Sequence, residues 1–173
     1  MQSKTKTNPS RILGIDPGYE RLGLAVVEKG LKKDKVLFSF CFITKREDSH
    51  EIRLLNIKKC ITEVIKKWQP EKMAIEKLFF NENQKTALKV AEARGVIITE
   101  AAENNLDVME IGPLEVKMAI TGYGRSDKRQ IKLMLDKIAD ISTKIKYDDE
   151  YDAIGIGIAG LAIGNNLKKL FTA

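Results

Sequence analysis

The chain has 173 residues, 43% of them apolar and 31% charged, which is the make-up of one ordinary globular domain. Lys and Arg outnumber Asp and Glu by 30 to 24, and the net charge of +6 favours a polyanionic partner. Two cysteines, Cys41 and Cys60, and one histidine, His50, exclude a disulfide framework and a Cys/His zinc cluster. A His-based triad would have to use His50, which sits in a charged stretch with no partner motif.

Residues 1–10 are polar, include Lys4 and Lys6, and lack the apolar core of an export signal, so they read as a disordered lead outside the fold. No apolar run approaches the ~18 residues of a membrane span, and the default reading is a cytoplasmic protein with no membrane partner. Residues 11–16 (RILGID) form an apolar run halted by Pro17-Gly18, a strand ending in a turn. Strands over 22–28 and 36–44 complete a three-stranded antiparallel meander. Ile52, Leu55, Ile61, Val64, Ile65 and Trp68 repeat with helical spacing over 49–68, and Pro70 marks the stop. A fourth strand over 72–76, a loop over 77–82, a helix over 83–104 and a short strand over 108–111 follow. Pro113 opens a helix to about 120, Ser126 is placed to cap a helix over 127–140, and a last helix runs from about 149 to 169. Strands first and helices alternating later give an α/β class with a mixed five-stranded sheet flanked by helices. There is no internal repeat, low-complexity segment or linker, so 11–173 reads as one domain.

Four carboxylates stand out by position. Asp16 ends the first strand and Glu76 the fourth, and ligands of α/β sheets collect at strand ends. Asp149 and Asp152 are three apart at the start of the last helix and share one of its faces. Each acid alone has an ordinary structural explanation: a turn before Pro-Gly for Asp16, the helix dipole for Asp149. Asp152 resists it, because the apolar run 153–163 begins immediately afterwards. Together, without Cys or His, they suit a hard cation, Mg²⁺ or Mn²⁺, that could activate water for phosphodiester hydrolysis, with two ions holding the attacking and leaving oxygens in line.

The runs ILGIDPG (12–18), AIEKLF (74–79) and DEYDA (149–153), in this order, resemble the RuvC-type Holliday-junction resolvases. ALKVAEARG (87–95) and GYGRSDK (122–128) are similar to that family too, and the likeness spans about residues 11–167. It implies a ribonuclease H-like fold, a homodimer, and Mg²⁺-dependent paired incision of four-way DNA junctions. Ligatable nicks with 5′-phosphate ends, and work alongside the RuvA and RuvB branch-migration machinery, are implied with it. Residue by residue, it marks Asp16, Glu76, Asp149 and Asp152 as metal-binding catalytic acids. The Glu150-Tyr151 pair between the last two acids is bulkier than the family's usual small residues.

Phe79 matches the family position expected to touch bases, and an apolar wedge there would help unstack DNA; adjacent Phe80 reads as core. Lys117 and Lys128 flank the loop 122–124. Lys128 and Arg129 occupy a helix's first turn, where the dipole disfavours cations unless a phosphate arrives. Lys128 is the residue to stabilise charge on the phosphate, with Lys117 and Arg125 as further DNA contacts, and Tyr123 as another aromatic able to open a junction. Gly95 costs a helix about 1 kcal/mol relative to Ala. With Ala91 it makes a small-residue patch, read either as packing onto the sheet or as a two-fold helix pair. The run 155–160 matches G-x-G-x-x-G, but it lies inside the last helix rather than after a strand, so it reads as close helix packing and not as a nucleotide site. Two other readings stand beside the resolvase: a different ribonuclease H-like nuclease, such as one processing ribosomal RNA precursors, and a non-catalytic junction-binding module.

Overall fold

In the computed structural model, which describes residues 10–78, 84–142 and 144–171, three strands open the chain: β1 (Arg11–Asp16), β2 (Arg21–Glu28) and β3 (Asp34–Ile43). Then come α1 (His50–Trp68), β4 (Lys72–Glu76), α2 (Gln84–Glu103), β5 (Asp107–Ile111), α3 (Pro113–Thr121), α4 (Lys128–Ile138), β6 (Ala139–Ile141) and α5 (Asp148–Phe171). The strands form one mixed sheet in the order β5-β4-β1-β2-β3-β6. β1–β2 and β2–β3 pair antiparallel, as the meander requires, and the remaining three pairs are parallel. Nearly the whole of the proposed lead lies outside the described residues; Ser10, its last residue, accepts a hydrogen bond from Lys29 N–H at 2.9 Å and continues the β1–β2 pairing.

Alternation along the strands assigns their two faces. Leu13, Ile15, Met73 and Ile75 point to one side, where Ile57, Ile61 and Ile65 of α1 and Ala93 and Ile97 of α2 cover them. Ile12 and Ala74 point to the other, beneath Ala153, Ile156 and Ala159 of α5 and Ile120 of α3. Asp16 and Glu76 continue this second series, so the pleat aims both acids toward α5. A side chain at Gly14 would overlap the carbonyl oxygen of Ala153, and one at Gly157 would press on Val27. These small residues let α5 lie directly on β1 and β2, the role expected of the glycine-rich run.

Two local expectations need correction. The helix expected over 127–140 stops at Ile138, and Ala139–Ile141 forms a sixth strand, parallel to Asp34–Val36 at the sheet edge. Three residues are too few to show a period-2 pattern, and their apolar positions blend into the helical spacing before them. The cap of α4 is Asp127 rather than Ser126. Asp127 accepts from Gln130 N–H at 2.8 Å, while the Gln130 side chain accepts from Asp127 N–H at 3.0 Å, a reciprocal capping box. Ser126 is buried instead, donating to Tyr123 O and bonded to the Thr121 hydroxyl, which ties the loop 122–126 back onto α3.

Candidate active site

β1 and β4 run parallel in register, with Ile15 beside Ile75, so Asp16 and Glu76 end neighbouring strands at the same level. The first turns of α5 and α4 and the body of α3 close the space above them. The resulting cavity of about 270 Å³ is lined by Asp16, Glu76 and Asp152 together with Lys117, Asp127, Lys128 and Tyr151. Lys128 is the first residue of α4, and its Nζ donates to Asp152 Oδ2 at 3.0 Å. The capping box at Asp127 fixes that helix start, and hence the origin of the Lys128 side chain.

Burial is the main cause that raises the Asp16 carboxyl to about 7. The negative charges of Glu76, Asp152 and Asp149 add to it, and Lys128 opposes them. Glu76 is raised above the usual carboxylate range for the same reasons, burial first and then Asp152. Lys128 is raised, chiefly by its hydrogen bond to Asp152. Both carboxyls therefore ionise less readily than in water, first because they are buried and second because neighbouring acids repel their charge.

Asp149 is placed differently. It does not line the cavity; its Oδ2 lies 3.8 Å from Arg21 NH1, on the β2 side. The Cys41 thiol also bonds to Asp149, and burial first, with the Asp149 charge second, pushes that thiol up to about 11. Among the described residues, no three Asp, Glu, His or Cys side chains come close enough together to hold a metal ion. Three of the four expected acids thus share one cavity and the fourth stands beside it, close enough for its charge to act on Asp16. The donor set is all oxygen, with charge in excess, and in type it fits a hard divalent cation.

The neighbours of Asp149 in the acidic run have other roles. Asp148 is exposed and pairs with Lys132 at 2.9 Å, which holds its carboxyl below the usual range. Glu150 is buried; it accepts from Ser39 Oγ at 2.9 Å and from the backbone N–H groups of Lys146 and Tyr147, fastening the start of α5 to β3. Lys117 reaches the cavity from α3, whereas Arg125 is exposed and outside its lining. Phe79 and Phe80 lie outside the described residues. Arg21, beside Asp149, and Tyr147, beneath its guanidinium, were not singled out from the sequence. The hairpin pairs Asp16 with Gly23, which sets Arg21 just beyond the end of β1 that carries Asp16.

The family model of crossover junction endodeoxyribonuclease RuvC matches residues 12–160. The chain belongs to this family. A RuvC of Moorella thermoacetica is 42% identical over 147 residues, covering 85% of this chain and 88% of the relative. One from Fusobacterium nucleatum is 38% identical, covering 92% and 89%. Thermus thermophilus RuvC, solved in complex with a Holliday junction substrate, is 30% identical and superposes with a TM-score of 0.85 over 91% of this chain and 96% of that one. The yeast mitochondrial Holliday junction resolvase Ydc2, at 13% identity and a TM-score of 0.71, shares the fold. The α/β architecture is therefore that of the ribonuclease H-like resolvases, and the chain is an endonuclease of the RuvC family acting on Holliday junction DNA.

Proposed function

We propose that the protein resolves four-way DNA junctions by Mg²⁺-dependent hydrolysis of one phosphodiester on each of two symmetry-related strands. The observation that carries this reading is the cavity in which Asp16, Glu76 and Asp152 gather around the end of β1 with Lys128 at its rim. Asp16, Glu76 and Asp152, with Asp149 joining them, would hold the divalent cation, which would lower the pKa of a water and offset charge on the phosphate oxygens; Mn²⁺ is an expected substitute, and two ions per site would suit the number of carboxylates. The chain's own groups do the rest. Asp16 and Glu76 hold their positions because they sit on buried strands. Lys128 meets the scissile phosphate, and its exposed side chain is free to move from Asp152 to a phosphate oxygen. Lys117 faces the same strand from α3, and Arg125 and Phe79 are assigned to the flanking DNA.

A homodimer follows from the same reading, because paired incision needs two identical sites related by a two-fold axis. The outer face of α2 supports it: Leu88 is 64% exposed, and a Cβ at Gly95 would meet nothing within 4 Å, so that glycine does not serve packing on the sheet. The nicks would be ligatable with 5′-phosphate ends, RuvA and RuvB would supply branch migration, and the cytoplasm would be the place of action. Among the described residues no helix is long and apolar enough to cross a membrane.

The test is cleavage of a labelled synthetic four-way junction with Mg²⁺, by wild type and Asp152→Asn, beside a linear duplex. Symmetric nicks on the junction alone, lost in the variant, are expected. Binding without cutting would favour the junction-binding module, and equal cutting of the duplex a different nuclease on this fold.

A further inference from the structure

We propose that Arg21 is a positioning residue of the active site that competes with a divalent cation for the Asp149 carboxylate. The inference rests on the metal-dependent reading above. Asp149 alone of the four acids does not line the cavity, and the cation beside it is the Arg21 guanidinium, NH1 to Oδ2 at 3.8 Å. The guanidinium has a support of its own, lying over the Tyr147 ring at 5.3 Å, and Tyr147 is two residues before Asp149 on the same approach to α5. The Cys41 thiol of β3 is a second neighbour of the Asp149 carboxylate.

The backbone beneath cannot adjust. β2 presses so closely on α5 that a Cβ at Gly23 would overlap the Asp149 carbonyl oxygen, and the same Cβ would lie 3.1 Å from Asp16 Cβ. Carrying the Asp149 carboxylate toward Asp16 therefore falls to side-chain rotation, and that rotation breaks the contact with Arg21. Asp152 is held by Lys128 through a hydrogen bond of 3.0 Å, so each acid of the α5 pair has its own cation. A cation entering the site must replace both. Once it has done so, the Arg21 side chain, 57% exposed, is left facing solvent.

The test is calorimetric titration of the metal-free full chain with Mn²⁺, without DNA, for wild type, Arg21→Gln, Arg21→Lys, Lys59→Gln and Asp16→Asn. Lys59 lies on the exposed face of α1, across the sheet from α5, and controls for the loss of one positive charge. Arg21→Gln is expected to bind Mn²⁺ about fivefold more tightly than wild type, the upper range for a pair this exposed. Lys59→Gln should stay close to wild type, and Arg21→Lys should fall between, since Lys keeps the charge without stacking on Tyr147. The gain should shrink in about 0.5 M NaCl, where exposed charges are screened. An Arg21→Gln affinity equal to that of Lys59→Gln, or weaker than wild type, would overturn the proposal. Asp16→Asn separates the two readings: if it binds Mn²⁺ like wild type, or if wild type binds none, the site assignment itself fails. Weak binding by Asp16→Asn with no effect at Arg21 sinks only the role of Arg21. Circular dichroism shows that each variant is folded.

Discussion

Lys128 Nζ and Asp152 Oδ2 are 3.0 Å apart across the mouth of the cavity, joining the first turn of α4 to the acid that α5 contributes to that cavity. The pair is exposed enough to contribute little to folding. Its value lies in storing a cation beside the place where phosphate charge develops. Lys128→Met should therefore lower the single-turnover rate of junction cleavage by about 10²–10³-fold, the usual cost of one such stabilising group. Junction affinity should change only a few-fold, because many other contacts hold the DNA. A gel-shift titration beside a quench-flow time course separates the two. Equal losses in affinity and rate would make Lys128 an ordinary DNA contact.

Asp16 links stability to pH. Its folded-state carboxyl titrates near 7 because burial and the neighbouring acids favour the protonated form, whereas an unfolded chain titrates near 3.8. The folded-state pKa is thus the higher one, so the native state holds a proton that the unfolded state has lost. Below about 4 both states are protonated and Asp16 costs nothing; the cost grows as pH rises and is complete above about 7. At full size it is on the order of 4 kcal/mol. Metal-free Asp16→Asn should accordingly melt above wild type at pH 8 and close to it at pH 4. Added Mn²⁺ should raise the wild-type Tm and leave the variant almost unmoved. A variant that melts below wild type at pH 8 would show that the carboxylate is not under strain there.

The strands that carry the site could be read from the sequence because they are buried and end in turn signals. Arg11–Asp16 and Lys72–Glu76 coincide with their expected bounds, and their alternation fixes which face the terminal acids take. Asp16 and Glu76 stood out for the same reason, each standing where an apolar run stops, whereas Asp152 stood out because one begins immediately after it and Asp149 because it lies three residues earlier. Side-chain direction was not visible. Nothing in the order of residues says that Asp149 turns to Arg21 while Asp152 turns to Lys128, since both contacts join segments more than 20 residues apart. The roles of Asp148 and Glu150 were equally hidden, one an exposed partner of Lys132 and the other a buried tie to Ser39. β6 escaped notice because it borrows its pairing from β3, a hundred residues earlier.

Gly14 sits where β1 meets α5, and a methyl group there would collide with the Ala153 carbonyl and with Gly157. Both obstacles are backbone, so neither can swing aside. Gly14→Ala should destabilise the protein by about 3 kcal/mol, at the upper end of overpacking effects. It should also separate Asp16 from the start of α5, so cleavage should fall further than the loss of folded protein explains. Chemical denaturation together with activity per folded molecule provides the check; a neutral substitution would mean that α5 can lift from the sheet at no cost.

The dimer can be tested at a position where the monomer has nothing to lose. Gly95 lies on the exposed side of α2, open space surrounds its missing Cβ, and any residue but proline there improves helix propensity, by up to about 1 kcal/mol for Ala. In an isolated chain, Gly95→Lys should therefore fold at least as well as wild type. If two copies of α2 pack across this face, the same substitution drives two charged side chains into a close helix crossing. Sedimentation at micromolar concentration should then show wild type as a dimer and Gly95→Lys as a monomer with unchanged far-UV circular dichroism. On a junction substrate the variant should lose coordinated cutting and leave single nicks, since each site would act alone. Dimers in both proteins would move the two-fold axis to another face, and monomers in both would leave paired incision without a structural basis.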